Sequence, residues 1–352
     1  MTTHSTDHSR LIADYSETMR RWLPRFLIAA SLALHAFTAA CYICQPDTMA
    51  AYTAYPIWIW CTVGLVFSAA AFVGWRAPLS LMLVILWTIT LLVGSDEAHS
   101  LTHIGYEKPE IGPAKPYKTQ DILRVCTLNW GTHYQTEAGM LAQAEIVASY
   151  HPDIVFLQEI HPWQAQIIAD KLYSGGGDYR TGADTAIITR WKVHLVTHNP
   201  MRHSQHVTLM LPKNRTLDCV NFHLRSALTE MRLWKKSTWV NHSASRELQR
   251  REVQYSLTSL QNTTAFPTNP VICAGHFNAT ASDPLHDLLR IHFNDSFSEA
   301  GTGWPNTWQS SFPLHRIDYI YTSPLLRAVR SHTVEIPRSN HHMVVSDFLL
   351  IP

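Results

Sequence analysis

The chain has 352 residues and a formal net charge of +1, so it is long enough for more than one structural unit and lacks the strongly basic balance of a nucleic-acid binder. Its charge is unevenly placed. Between Trp22 and Ser95 the only charged side chains are Arg25, Asp47 and Arg76, whereas most acidic and basic residues follow Ser95.

In chain order, 1–21 reads as a cytoplasmic N-terminal segment and 22–96 as three transmembrane helices, over Trp22–Cys44, Tyr55–Trp75 and Leu79–Gly94. A helix needs about 20 residues to cross a hydrocarbon core. The first two runs have that length, and the third attains it with the uncharged residues around it. Three such runs in succession argue against buried core helices or a cleaved signal peptide. Arg20, Arg21 and Arg25 flank the first run and Arg76 sits between the second and third, while the connector Gln45–Ala54 carries Asp47 and no Lys or Arg. The positive-inside rule therefore predicts a multi-pass protein of the cell membrane with everything after Gly94 on the extracytoplasmic side.

The segment 97–120, with Pro109, Pro113 and Pro116, reads as an extended linker, and 121–352 as one soluble domain. Six cysteines give no disulfide framework and no metal-type CxxC pair in the soluble part. They read as small buried apolar residues. Strand-like runs are predicted at Ile122–Asn129, Ile154–Gln158, Thr185–Thr189, Val193–Val196, Val207–Leu211, Thr216–His223, Pro270–Ala274, Arg316–Thr322 and Val344–Leu350. Helices are expected at Leu141–Ser149 and about Ser243–Leu260, the latter with Arg246, Glu247, Arg250, Arg251 and Glu252 on a polar face. The fold class is an N-terminal helical membrane segment plus an α/β (α+β) soluble domain of mixed sheets flanked by helices.

Four fragments carry chemistry: Leu157-Gln158-Glu159, Gly275-His276-Phe277-Asn278, Arg316-Ile317-Asp318-Tyr319-Ile320 and Ser339-Asn340-His341. With Asn129 and His223 closing apolar runs, their order resembles the endonuclease/exonuclease/phosphatase superfamily, including bacterial members with three N-terminal spans. The resemblance implies two mixed β-sheets packed face to face with flanking helices. It also implies metal-dependent cleavage of a phosphate ester, with a lipid phosphate or pyrophosphate among the candidate substrates and nucleic acid disfavoured by charge.

The roles it implies are Asn129, Glu159 and Asn340 at the metal, and His223, His276, Asn278, Asp318 and His341 in catalysis, with Asp318 orienting His341. Mg²⁺ or Mn²⁺ suits such oxygen ligands. Two positions depart from the family pattern, which has Asp where this chain has His276 and Asp where it has Asn340. The centre becomes less anionic, which weakens Mg²⁺ and favours a softer metal, or a descendant that binds a phosphorylated ligand or partner protein without turnover. The loop Gly301–Trp308 reads as a substrate-selecting rim. Arg225, Arg232, Lys235 and Lys236 read as a solvated basic loop.

Overall fold

The computed structural model describes residues 5–101, 122–131, 136–197, 203–226, 228, 230–263, 266 and 268–351. Most of the expected linker, 102–121, lies outside them. The chain divides into two compact units, 1–46 with 55–98, and 47–54 with 99–352.

The first unit is helical, with α1 (Ser5–Cys44), α3 (Ile57–Trp75) and α4 (Pro78–Gly94); the short α2 (Ala50–Thr53), between α1 and α3 in sequence, belongs to the second unit. Two stretches, Trp22–Cys44 and Ile57–Gly74, are long and apolar enough to cross a membrane. The third expected span is the 17-residue α4, apolar but shorter. The three helices meet around small residues. A Cβ on Gly64 would lie 2.0 Å from the Trp87 indole, whose Nε1 donates to Ser31 Oγ at 2.9 Å, and Ser31 in turn bonds Ser68. Their other faces carry exposed Trp22, Phe26, Ile43, Val66, Val73, Met82 and Val93. Of the cysteines here Cys41 and Cys61 are buried as expected, but Cys44 is exposed.

The second unit contains α5 from its His99 onward (Asp96–Leu101) and all of the strands. These are β1 (Ile122–Asn129), β2 (Ile154–Gln158), β3 (Asp178–Thr181), β4 (Thr185–Thr189), β5 (Lys192–Thr197), β6 (Ser204–Leu211), β7 (Arg215–His223), β8 (Val271–His276), β9 (Asn294–Asp295), β10 (Asp318–Thr322), β11 (Leu326–Glu335) and β12 (His342–Leu350). They form two six-stranded mixed sheets, ordered β11-β12-β1-β2-β4-β3 and β5-β6-β7-β8-β10-β9. The inner faces share one core of Val125, Phe156, Ile187, Leu209, Cys219, Ile272, Ile320 and Phe348. Outer faces are covered too: α6 (Glu137–Ser149) and α7 (Pro162–Tyr173) pack on the first sheet, while α8 (Lys236–Thr263) and α9 (Leu285–Arg290) pack on the second. Burial on both faces is why the central strands read as continuous apolar runs rather than alternating ones.

Three strands, β3, β9 and β11, and the helices α7, α9 and α10 (Ser296–Ala300) are additions to the sequence reading. β11 escaped notice because Arg327, Arg330 and Glu335 interrupt its apolar pattern. Yet Arg330 is buried, 3.8 Å from Asp347.

The expected polar face of α8 is corrected as well. Arg246 and Glu252 are buried, not solvated. The segment Asp47–Ala54, in sequence the connector between two apolar helices, folds with this unit and accepts from two arginines of that face. Arg246 donates to Asp283 at 2.8 Å and to Thr53 Oγ1 at 2.7 Å, Arg250 forks onto Asp47 at 2.7 and 2.5 Å, and Thr280 Oγ1 donates to the Thr53 carbonyl. Glu252 accepts the His203 N–H at 3.0 Å.

Burial raises the Glu252 carboxyl from 4.5 to about 7. The folded chain then holds a proton that the unfolded chain releases, so this contribution to stability is complete below pH 4.5 and is lost as pH rises to about 7. Glu252→Gln should flatten that decline, measured as the melting temperature of the full chain at pH 4.5 and above pH 7.

Candidate functional site

Six of the eight predicted residues converge at one end of the two sheets. Strand register does much of the placing. His223 pairs with His276 across β7 and β8, and Asp318 pairs with His276 across β10 and β8, so three chemically active residues sit side by side where their strands end or begin. Gly275 makes this possible. Its φ of 136° is closed to most L side chains, and a Cβ there would lie 2.1 Å from the Phe222 carbonyl oxygen.

The sheets are tied together just behind the site. Gln158 Nε2 donates to Asn221 Oδ1 at 2.8 Å, and Asn221 Nδ2 donates to the carbonyls of Leu157 and Ala186 at 2.9 and 3.0 Å. All are buried, so these bonds fix β7 against β2 and β4 and hence His223 against Glu159. Glu159 itself has φ 51° and Asn278 φ 54°, a left-handed conformation that non-glycine residues adopt rarely and mostly where the surroundings impose it.

Asp318 is fully buried. Its Oδ1 takes His276 Nδ1 at 2.9 Å, and its Oδ2 takes both His341 Nδ1 at 2.8 Å and Thr307 Oγ1 at 2.5 Å. Burial opposes the charge, but His341 and His276 together hold the carboxyl far below the usual carboxylate range. Burial also keeps His276 below the ordinary imidazole value despite Asp318. It is therefore neutral at pH 7, with Nδ1 as the donor and Nε2 carrying a lone pair.

His223 repeats the arrangement with Asp184, Nδ1 to Oδ2 at 2.7 Å. Burial lowers its pKa, but the Asp184 hydrogen bond and charge, with Glu159 and Asp318 behind, outweigh it and leave the imidazole raised. His223 Nε2 lies 3.7 Å from Glu159 Oε1, an oxygen that also accepts Asn129 Nδ2 at 2.9 Å. Asn129 Oδ1 accepts the Gly131 N–H, so this asparagine orients the Glu159 carboxylate.

Ser339 Oγ accepts the His341 N–H and donates to the Asn129 carbonyl, which joins the last motif to the first. His342, the rival to His341, is directed elsewhere, its Nε2 on the Ser310 carbonyl at 3.0 Å.

Two predicted residues stand apart from this cluster. Asn278 gives its amide to the Leu224 carbonyl at 2.7 Å and lines a side pocket with Arg246, Gln249 and Asp283. Asn340 is exposed, its Oδ1 3.5 Å from the point where a Gly131 Cβ would stand. Asp184 and Thr307, which hold His223 and Asp318, went unnoticed in the sequence. Neither adjoins a motif, although Thr307 lies in the rim loop. Arg232 and Lys235 pair with Glu230, consistent with a solvated basic loop. His276, Asp318 and His341 together offer ligand atoms within 4.8 Å of one another.

The sequence profile of the endonuclease/exonuclease/phosphatase family matches residues 131–347. The chain belongs to that family. Solved structures with the same fold include a functionally unknown conserved protein from Enterococcus faecalis V583, at TM-score 0.53 and 16% identity over 65% of this chain and 100% of that one. A family member from Bacteroides vulgatus is similar at TM-score 0.52 and 16% identity, over 65% and 99%. So is D. rerio TDP2 complexed with a single-strand DNA product, at TM-score 0.50 and 17% identity, over 64% and 98%. At these identities the likeness is one of fold. No curated protein matches the chain. Family members are in general hydrolases of phosphate esters and typically use divalent metals. The donor set here fits such an ion, with the Glu159 carboxylate and three imidazoles at one end of the sheets.

Gly275→Ala should lower the folding free energy by about 3 kcal/mol or more, since strained φ and overpacking each cost roughly 1–3 kcal/mol. Gly175→Ala, with φ 76° but nothing within 4 Å of the added Cβ, should cost only the strain. Urea unfolding of the two variants checks the difference.

Proposed function

We propose that this protein is a membrane-anchored, outward-facing, metal-dependent phosphohydrolase acting on a phosphate ester, with a lipid phosphate or pyrophosphate as the favoured class. The observation that carries this reading is the buried Asp318 carboxylate holding His276 and His341 beside the Asn129–Glu159 pair. Glu159, 32% exposed in its side chain, is the anionic metal ligand, oriented by Asn129. The metal, when bound, neutralises charge on the phosphoryl oxygens and lowers the pKa of a water.

His341, fixed through Nδ1, presents its other nitrogen to the scissile phosphate, while raised His223 donates to a phosphoryl oxygen. His276, neutral through burial, takes the water-positioning role that Asp has elsewhere in the family. Asn278, expected in the catalytic set, spends its amide on the Leu224 carbonyl and supports the loop after β8 instead.

Membrane anchoring rests on the two long apolar helices, with α4 as a third and shorter span. The outward orientation rests on Arg20, Arg21, Arg25 and Arg76. The apolar helices favour a substrate that is itself membrane-borne, and a net charge of +1 gives little attraction for nucleic acid. The loss of two acidic positions supports a second reading, a descendant that binds a phosphorylated ligand or partner protein without turnover.

Hydrolysis of a generic phosphodiester and a pyrophosphate by the detergent-purified chain, with Mg²⁺, Mn²⁺ and Zn²⁺ in turn, separates the two readings. Turnover with at least one metal is expected. Glu159→Gln should reduce it about 100-fold or more, the equivalent of several kcal/mol of lost charge stabilisation, with little change in melting temperature. Inactivity with every metal would favour the binding-only reading.

A reporter fused after residue 351 should be active on the extracytoplasmic side. Cytoplasmic activity there would reject the three-span topology.

A further inference from the structure

We infer that the metal of this site is a transition-metal ion of the zinc class, held by Nε2 of His223, His276 and His341 with Glu159 as the anionic fourth ligand. The inference rests on the hydrolase reading only in placing the metal at Glu159, and it gives to the metal the three Nε2 atoms which that reading turns to phosphate and water.

Each of the three imidazoles spends Nδ1 on a carboxylate: His223 on Asp184 at 2.7 Å, His276 and His341 on the two oxygens of Asp318 at 2.9 and 2.8 Å. A carboxylate behind Nδ1 is the usual companion of a metal-ligating histidine. It fixes the tautomer, makes Nε2 more basic and holds the ring plane. A chance cluster of histidines, in a chain with 21 of them, has no reason to adopt one tautomer throughout. His342, the neighbour of His341, instead uses Nε2 on a carbonyl and lies outside the pattern.

Spacing agrees. Two imidazoles bound through nitrogen to one tetrahedral zinc, with Zn–N near 2.0–2.1 Å, have ring centres roughly 5 Å apart. Here His276 and His341 are 4.6 Å apart and His223 and His276 are 5.6 Å apart. The 3.7 Å between His223 Nε2 and Glu159 Oε1 is too long for a hydrogen bond. It is close to the roughly 3.3 Å edge between two ligands of such an ion.

The same donor set is poor for Mg²⁺, which demands oxygen ligands in near-octahedral geometry. Glu159 is the only carboxylate in the described cluster with its charge not committed to an imidazole Nδ1. The family's two other acidic positions are His276 and Asn340. Imidazole in place of carboxylate shifts preference along the series toward zinc, cobalt and iron.

The test uses the full chain in detergent, stripped with a chelator and titrated with Co²⁺. Expected are visible d–d bands of four- or five-coordinate cobalt that saturate at one ion per chain and are bleached by Zn²⁺, together with zinc affinity at least about 100-fold above that for Mg²⁺. His276→Asp and His341→Gln should abolish the bands. Asp318→Asn should weaken zinc about 10–100-fold, and His342→Gln should change nothing. X-ray absorption of the zinc-loaded wild type, which depends on no variant folding, should show three imidazoles.

Fewer than two imidazoles, or bands indifferent to His276→Asp, would overturn the inference. If Mg²⁺ alone then restored phosphodiester cleavage, the hydrolase reading would stand without it. A histidine-dependent cobalt spectrum with no turnover under any metal would sustain the metal site and reject the hydrolase.

Discussion

A fully buried carboxylate is costly unless hydrogen bonds compensate it, and Asp318 accepts three, from His276, His341 and Thr307. The rest of the site depends on this solution. Asp318 and His276 belong to one sheet, and His341 stands at the entry to β12 in the other, so a single side chain sets the distance between the two halves of the centre. The loop holding Thr307 is drawn in by the same carboxylate and by the bond from the His342 N–H to the Thr307 carbonyl.

A second constraint acts from behind. Gln158, one residue before Glu159, donates across the sheets to Asn221, two before His223, and Asn221 donates back to the Leu157 and Ala186 carbonyls. The site carboxylate and imidazole therefore inherit their separation from a polar tie in an otherwise apolar interior. Removing one partner of such a tie leaves another group buried and unpaired.

The segment Asp47–Ala54 belongs to the same argument. Sequence order makes it a connector between apolar helices, yet its side chains satisfy Arg246 and Arg250 of α8, and its backbone accepts from Thr280. Gln249, one turn away on α8, donates to the carbonyls of Arg225 and Asn278. The loops bearing two predicted site residues or their neighbours are thus supported by a helix that would otherwise expose buried arginines.

The apolar helices, most of the strands and the family motifs were legible in the sequence because each depends on local pattern. Two-sided burial gives unbroken apolar runs, and Glu159, Asp318 and His341 stand beside them in recognisable order. Strand β11 was hidden because its arginine is neutralised by Asp347 of a different strand. The buried polar face of α8 was hidden because its cover comes from about 200 residues earlier in the chain. The roles of Asp184 and Thr307 have the same origin, since a hydrogen bond closed only by tertiary packing leaves no trace in spacing. Sequence determined which side chains were available for chemistry, and only the fold decided that three imidazoles would each turn the same nitrogen to a carboxylate, because that choice is made by distances between strands far apart in the chain.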